Sequence, residues 1–217
     1  MSNLLARYHT LTDGGLGLAK GSLELKGHNP RWKRLFSDEA YLIFDSLRIE
    51  DLRLYHIGST SIPQISAKPV IDILGSVDSL KTIDDTKDKL LELGYEYKGE
   101  YGIEGRRYYV LKSTDKALSY VHIHFFEHSH PAIKKHILFR DYLRLNADAR
   151  KRYEDLKLDL ISAQAGAEYT DKKAPLISQL LSEAENHLSN PRKVLAILGS
   201  AEGGSHTIIN PAESIWT

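Results

Sequence analysis

Residues Tyr55 to Leu74 read Y-H-I-G-S-T-S-I-P-Q-I-S-A-K-P-V-I-D-I-L. In order they supply a strand end, a Gly-Ser turn, a proline-bounded loop with one lysine, and a short apolar strand carrying one carboxylate. That order suits a phosphate site. Gly58 lets backbone approach a ligand closely, and Ser59, Thr60 and Ser61 offer hydroxyls and backbone N–H groups to phosphate oxygens. Pro63 and Pro69 restrict the loop, and Lys68 adds a mobile positive charge. Asp72 is the lone polar side chain in Val70–Leu74, and a buried carboxylate needs a partner. Two readings of it stand: a structural aspartate paired with Lys68 or an arginine, or a functional one.

The run H-I-G-S-T-S-I-P-x-I-x-A-K-P-V-I-D-I resembles the signature of the GrpB family, within the nucleotidyltransferase superfamily. The resemblance continues in G-I-E-G-R-R-Y-Y at Gly102–Tyr109, V-H-I-H-F-F-E at Val121–Glu127, H-I-L-F-R-D-Y-L-R at His136–Arg144 and Y-T-D-K-K-A-P at Tyr169–Pro175. Each motif alone is weak; their shared order is not. The resemblance implies an α+β fold: a nucleotidyltransferase-like mixed β-sheet covered by helices, with a C-terminal helical part. Gly14, Gly15, Gly17 and Gly21, scattered without sustained periodicity, make 1–26 a loosely ordered extension; a domain follows over 27–187, and a tail unlike the family over 188–217.

Composition narrows the function classes. Lys+Arg and Asp+Glu both count 29 in 217 residues, so no global field attracts nucleic acid or an anionic membrane, and any polyanion site must be local. Cysteine is absent, which excludes disulfides and thiolate ligands and suits a reducing compartment. No apolar run is long enough for a membrane span, and the expected location is the cytoplasm.

Along the chain, Asn29-Pro30 opens a helix with Trp32, Leu35, Phe36, Ala40, Ile43, Phe44 and Leu47 at helical spacing. A strand around Leu52–Ile57 delivers the Gly-Ser turn. Ser79 to Leu93 reads as one amphipathic helix closed by Gly94. Tyr95–Glu100, Arg106–Lys112 and Ser119–Phe126 are strands, for a sheet of about four to five strands in all. In the last of them Val121, Ile123 and Phe125 face one side, and His122, His124 and Phe126 the other. Helices follow over Pro131–Leu145, Asp148–Gln164 and Asp171–His187, the last capped by Thr170. In the tail, V-L-A-I-L needs covering, by the domain itself or by a second copy in a homo-oligomer.

The expected chemistry follows from these placements. Nucleotidyl transfer needs a triphosphate cradle, a divalent metal and carboxylates that hold it. The resemblance makes Gly58, Ser59 and Thr60 the cradle, with Asp72 and Lys68 as catalytic residues. Mg²⁺ or Mn²⁺ would sit on Asp72 and His124. The superfamily pattern calls for a second acid two residues after Asp72, where this chain has Leu74. His122 and His124 share a face and have three readings: ordinary hydrogen-bonded strand histidines facing a half-polar cleft, ligand contacts, or members of a transition-metal centre with Asp72. Arg107 is favoured over Arg106 as the strand cation that reaches the cleft. Lys172 and Lys173, in the first turn of the last helix, either bind an anion at that helix N-terminus or balance Asp171 and Glu168. His136, Arg140 and Arg144 form a basic stripe. The functional expectation is a metal-dependent, nucleotidyltransferase-like protein that binds a nucleotide or other phosphorylated small molecule and transfers a group to a small acceptor. The alternative is a non-catalytic ligand-binding or assembly module on the same fold.

Overall fold

In the computed structural model, which describes residues 2–113 and 117–188, a six-stranded mixed sheet separates two helical layers. The elements are α1 (Ser2–Asp13), β1 (Leu18–Ala19), α2 (Arg31–Leu47), β2 (Arg53–Ile57), β3 (Ile71–Val77), α3 (Leu80–Asp85), α4 (Lys87–Glu92), β4 (Tyr95–Tyr97), β5 (Arg107–Lys112), β6 (Leu118–Glu127), α5 (Pro131–Leu145), α6 (Ala147–Ser162) and α7 (Tyr169–Leu188). Strand order is β2-β3-β6-β5-β4, with the two-residue β1 also pairing β6. Only β3 and β6 run parallel. Among the described residues no helix is long and apolar enough to cross a membrane.

Strand alternation sorts the sheet into two faces. Ile71, Ile73, Val77, Val121, Ile123, Phe125, Tyr109 and Leu111 point to the larger core, where α2 lays down Trp32, Phe36, Ala40 and Ile43. Gly75 belongs to this face, because a Cβ there would lie 2.2 Å from the Phe125 ring. On the opposite face Tyr55, Ile57, Leu74 and Phe126 pack under Ala132, Ile133 and Ile137 of α5. The helices α5, α6 and α7 close a third cluster over the loop after β2, around Ile62, Ile65, Leu143, Tyr153 and Leu180. The second face is therefore only partly roofed, and Asp72, His122 and His124 lie on it.

Three expectations change. The first 26 residues are not a loose extension: Leu4, Tyr8 and Leu11 recur at helical spacing, α1 docks them on the main core, and Arg7 forms a largely buried ion pair with Glu39. The single helix over Ser79–Leu93 is two, broken at Thr86, whose hydroxyl donates to the Thr82 carbonyl at 2.8 Å. Thr170 does not cap α7; that helix starts at Tyr169, directly after a 3₁₀ turn over Gly166–Glu168, so Lys172 and Lys173 lie beyond its free N–H groups. The tail, with its V-L-A-I-L run, lies outside the described residues from 189 onward.

Candidate functional site

The site forms where β2 ends beside the start of β3. Ile57 is in register with Asp72, and Asp72 with His122; Leu74 is opposite His124, and His124 opposite Tyr108. Gly58 follows Ile57 at φ 70 and ψ −179, a conformation reserved in practice for glycine, and opens the 3₁₀ turn Ser59–Ser61. Its neighbour explains it. A Cβ on Gly58 would lie 2.3 Å from Oδ2 of Asp72. The glycine makes room for the carboxylate, whereas the sequence suggested room for a ligand.

Asp72 sits between two imidazoles, with Oδ1 3.5 Å from Nδ1 of His122 and 3.8 Å from Nε2 of His124. Burial pushes its carboxyl up, but the two histidines outweigh burial and hold it below the usual carboxylate range. Arg106 fixes the tautomer of His124. Its guanidinium donates to Nδ1 at 3.3 Å, and a guanidinium can only donate, so the ring proton is on Nε2, facing Asp72. Burial lowers the His124 pKa, and Asp72 offsets this only in part. The far nitrogen of His122, Nε2, is 2.9 Å from Oγ of Ser119. Ser119 reaches this face because the ladder slips by one residue: Leu111 pairs with Val121 but Lys112 pairs with Ser119, leaving Tyr120 as a bulge buried in the core.

Of the strand arginines, Arg106 serves this site and Arg107 does not. Arg107 lies in register with Phe125, on the main-core face, and is held there by Asp84, with Nε–Oδ1 at 2.7 Å and Nη2–Oδ2 at 2.8 Å. Arg106 is 6% exposed, donates to the carbonyls of Glu100 and Tyr101, and covers the Tyr108 ring at 4.8 Å. Arg106→Ala is therefore expected to raise the His124 pKa by removing a neighbouring positive charge. Arg107→Ala should leave that pKa unmoved and cost under about 1 kcal/mol, as a partly exposed pair does. Imidazole resonances followed against pH by NMR check both.

The cations expected in the cradle converge on one aromatic ring. Nζ of Lys68 and Nζ of Lys173 each lie 4.4 Å from the centroid of Tyr169. Neither has a carboxylate within ion-pair distance among the described residues, whereas Lys172 pairs with Glu168 at 2.8 Å. Burial and the charges of Lys68 and Lys157 lower the Lys173 pKa to about 8. Burial also lowers that of Lys68, with Asp72 opposing. The charge of Asp72 acts on both ammonium groups from beyond ion-pair distance, which leaves room for an anion to meet them directly.

The hydroxyls are engaged differently. Thr60 is buried, 3.0 Å from Nε2 of His56, so its hydroxyl is not presented to a ligand. Ser59 is half-buried, with its side chain against that of the buried Tyr153. The basic stripe on α5 clamps the turn: Arg140 donates to the His56 carbonyl at 3.0 Å, and Arg144 donates twice to that of Ser61, at 2.9 and 2.7 Å. A cleft of about 340 Å³ opens from Gly58 between α5, α6 and α7, lined by Ile62, His136, Phe139, Tyr153 and Ile177.

Sequence patterns found Gly58, Ser59, Lys68, Asp72, His122, His124 and Lys173, which do gather here. They missed Arg106, Tyr108, Ser119 and Tyr169. Tyr169 was within reach, since it opens the Y-T-D-K-K motif. Ser119 was not, because a bulge inverts its face.

Residues 22–183 match the family model described as GrpB protein. The glutamate-rich protein GrpB of Alkalihalophilus pseudofirmus is 35% identical over 172 residues, 77% of this chain and 99% of that protein. UPF0157 protein YqkA of Bacillus subtilis is 39% identical over 141 residues, 65% of this chain; the match spans only 40% of the length of YqkA. The crystal structure of conserved protein GrpB from Enterococcus faecalis superposes with a TM-score of 0.69 at 33% identity, over 77% of this chain and all of that one.

Proposed function

The chain belongs to the GrpB family, and from its site we propose that it binds a phosphorylated small molecule of the nucleotide class. The phosphates would lie between Lys68 and Lys173 and against the Gly58–Ser59 turn. The observation that carries this reading is the pair of ammonium groups sharing the Tyr169 ring without a carboxylate partner. The resemblance to nucleotidyltransferases supports it. Arg140 and Arg144 hold the turn, and the His124 N–H faces Asp72.

A second reading adds turnover: transfer of a nucleotidyl or related group to a small acceptor. It is favoured by Asp72, an ionised carboxylate beside the cations with His122 in contact. The superfamily implies a divalent metal for this chemistry, such as Mg²⁺ or Mn²⁺. The residues at Asp72 do not fit a two-acid centre. Leu74 occupies the second acid's place and is packed under α5. Asp72, His122 and His124 are not among the triads whose ligand atoms lie within 4.8 Å of one another. In addition, Nε2 of His124 carries a proton where ligation would need a lone pair.

Calorimetric titration of inorganic triphosphate and nucleoside triphosphates, each with and without Mg²⁺, tests the reading on the parent chain and on Asp72→Asn. Metal-free binding should survive the substitution or strengthen, because a negative charge next to the cradle is removed. Any gain brought by Mg²⁺ should vanish with Asp72. If no phosphorylated probe binds either chain, the proposal fails.

A further inference from the structure

We infer that Asp51, Asp78 and His128 form a binding site for a divalent transition metal, of which Zn²⁺ is the best fit. It lies about 20 Å along β3 from Asp72, at the strand rise per residue, and is separate from the phosphate cradle. Asp78 directly follows β3 and His128 directly follows β6. Because these strands run parallel, their ends meet, and Asp51, just ahead of the antiparallel β2, arrives at the same place. Among the described residues this is the triad of ligand-type side chains whose ligand atoms all lie within 4.8 Å of one another.

The distances leave room for an ion. Nε2 of His128 is 3.7 Å from Oδ2 of Asp51 and 3.5 Å from Oδ1 of Asp78. A hydrogen bond would draw such a pair to about 2.7–3.2 Å. A tetrahedral ion with bonds of about 2.0–2.2 Å separates its ligand atoms by about 3.3–3.6 Å. The Asp78 edge falls within that range, the Asp51 edge just beyond it, and the third edge is within 4.8 Å. The other imidazole nitrogen, Nδ1, hydrogen-bonds the hydroxyl of Ser76, which is 1% exposed. A metal-binding histidine is usually held in this way from behind, which leaves Nε2 free to ligate. The backbone completes the frame: His128 donates to the Val77 carbonyl at 2.8 Å, and the Asp78 N–H donates to the Asp51 carboxylate. An imidazole with two carboxylates and no thiolate selects Zn²⁺ or Mn²⁺ over Mg²⁺ and Ca²⁺. Three protein ligands leave a fourth position for water. Such an ion would tie the turn before β2 to the ends of both parallel strands.

Titration of Zn²⁺ alone into the full chain by calorimetry tests this, with His128→Ala, Asp78→Asn, Ser76→Ala and Asp72→Asn beside the parent. The Asp78 side chain is 82% exposed, so Asp78→Asn leaves the fold intact and keeps the test open should His128→Ala misfold. The parent should bind one equivalent. Affinity should fall at least about tenfold in His128→Ala and Asp78→Asn, and about tenfold in Ser76→Ala, as loss of an outer partner does. It should be unchanged in Asp72→Asn. Failure of the parent to bind, binding that persists in both Asp78→Asn and His128→Ala, or binding lost in Asp72→Asn overturns the inference.

Discussion

Replacing Lys68 and Lys173 together by alanine is expected to weaken binding of a nucleoside triphosphate by about 100-fold or more, while the folded chain stays as stable as the parent. Each ammonium that meets a phosphate makes a charge-assisted hydrogen bond worth about 1.5–3 kcal/mol. Losing both sets the scale. The stability half of the result follows from the lack of a carboxylate within ion-pair distance of either lysine among the described residues, Asp72 acting on both only from farther away. Burial and the charges of Lys68 and Lys157 oppose the charge on Lys173, so without ligand its protonated form is an expense that alanine removes. A pair of structural lysines would show the reverse, loss of stability with no change in binding. The pH dependence has a definite sign. With the Lys173 pKa lowered to about 8, its charge is present below that pH and lost above it. Affinity for phosphate should therefore fall as pH rises through 8. From this one group, the stability of the free chain should rise between that value and the ordinary lysine pKa, because there the unfolded chain binds the extra proton.

Gly58→Ala should be the most damaging single methyl in the site. At φ 70 and ψ −179 an L-residue is strained, and its Cβ would stand 2.3 Å from the Asp72 carboxylate. Strain and overpacking together should cost about 2–4 kcal/mol, or about 4–16 °C in melting temperature for a chain of this size. Gly99→Ala serves as a positive-φ control without a clash, since Gly99 has φ +66 and nothing lies within 4 Å of its Cβ position. Adding Asp72→Ala to Gly58→Ala should recover the clash and leave the strain. Thermal melts of these three variants beside the parent measure this. No recovery when Asp72→Ala is added to Gly58→Ala would mean that the carboxylate moves aside freely.

The sequence and the structure agree where one residue type serves one purpose. V-I-D-I reads as a strand because a single polar residue interrupts an apolar run, and β6 reads cleanly because His122 and His124 alternate with the apolar residues of the core. The strand R-Y-Y-V-L-K has no such contrast. Tyr108 and Val110 are as apolar as Tyr109 and Leu111, so its phase, and with it the choice between Arg106 and Arg107, depends on the register with β6. The helix α1 was legible in Leu4, Tyr8 and Leu11, but the glycines after it suggest a loose segment. They terminate the helix instead: Gly14 and Gly15 donate to the carbonyls of Thr10 and Thr12. The pairing of Lys68 with Lys173 across Tyr169 joins positions over a hundred residues apart, and no local pattern carries it.

In the proposed function Lys173, with Lys68, holds the phosphates of a ligand beside Asp72. Calorimetric titration of adenosine triphosphate into the parent and Lys173→Gln, at about pH 7.5 and about pH 9, tests it most directly. The parent should bind at the lower pH and lose several-fold to about tenfold in affinity at the higher one. Lys173→Gln should bind more weakly at both and show no such fall. Equal affinity of the two chains, or a parent indifferent to pH across this interval, would contradict the account.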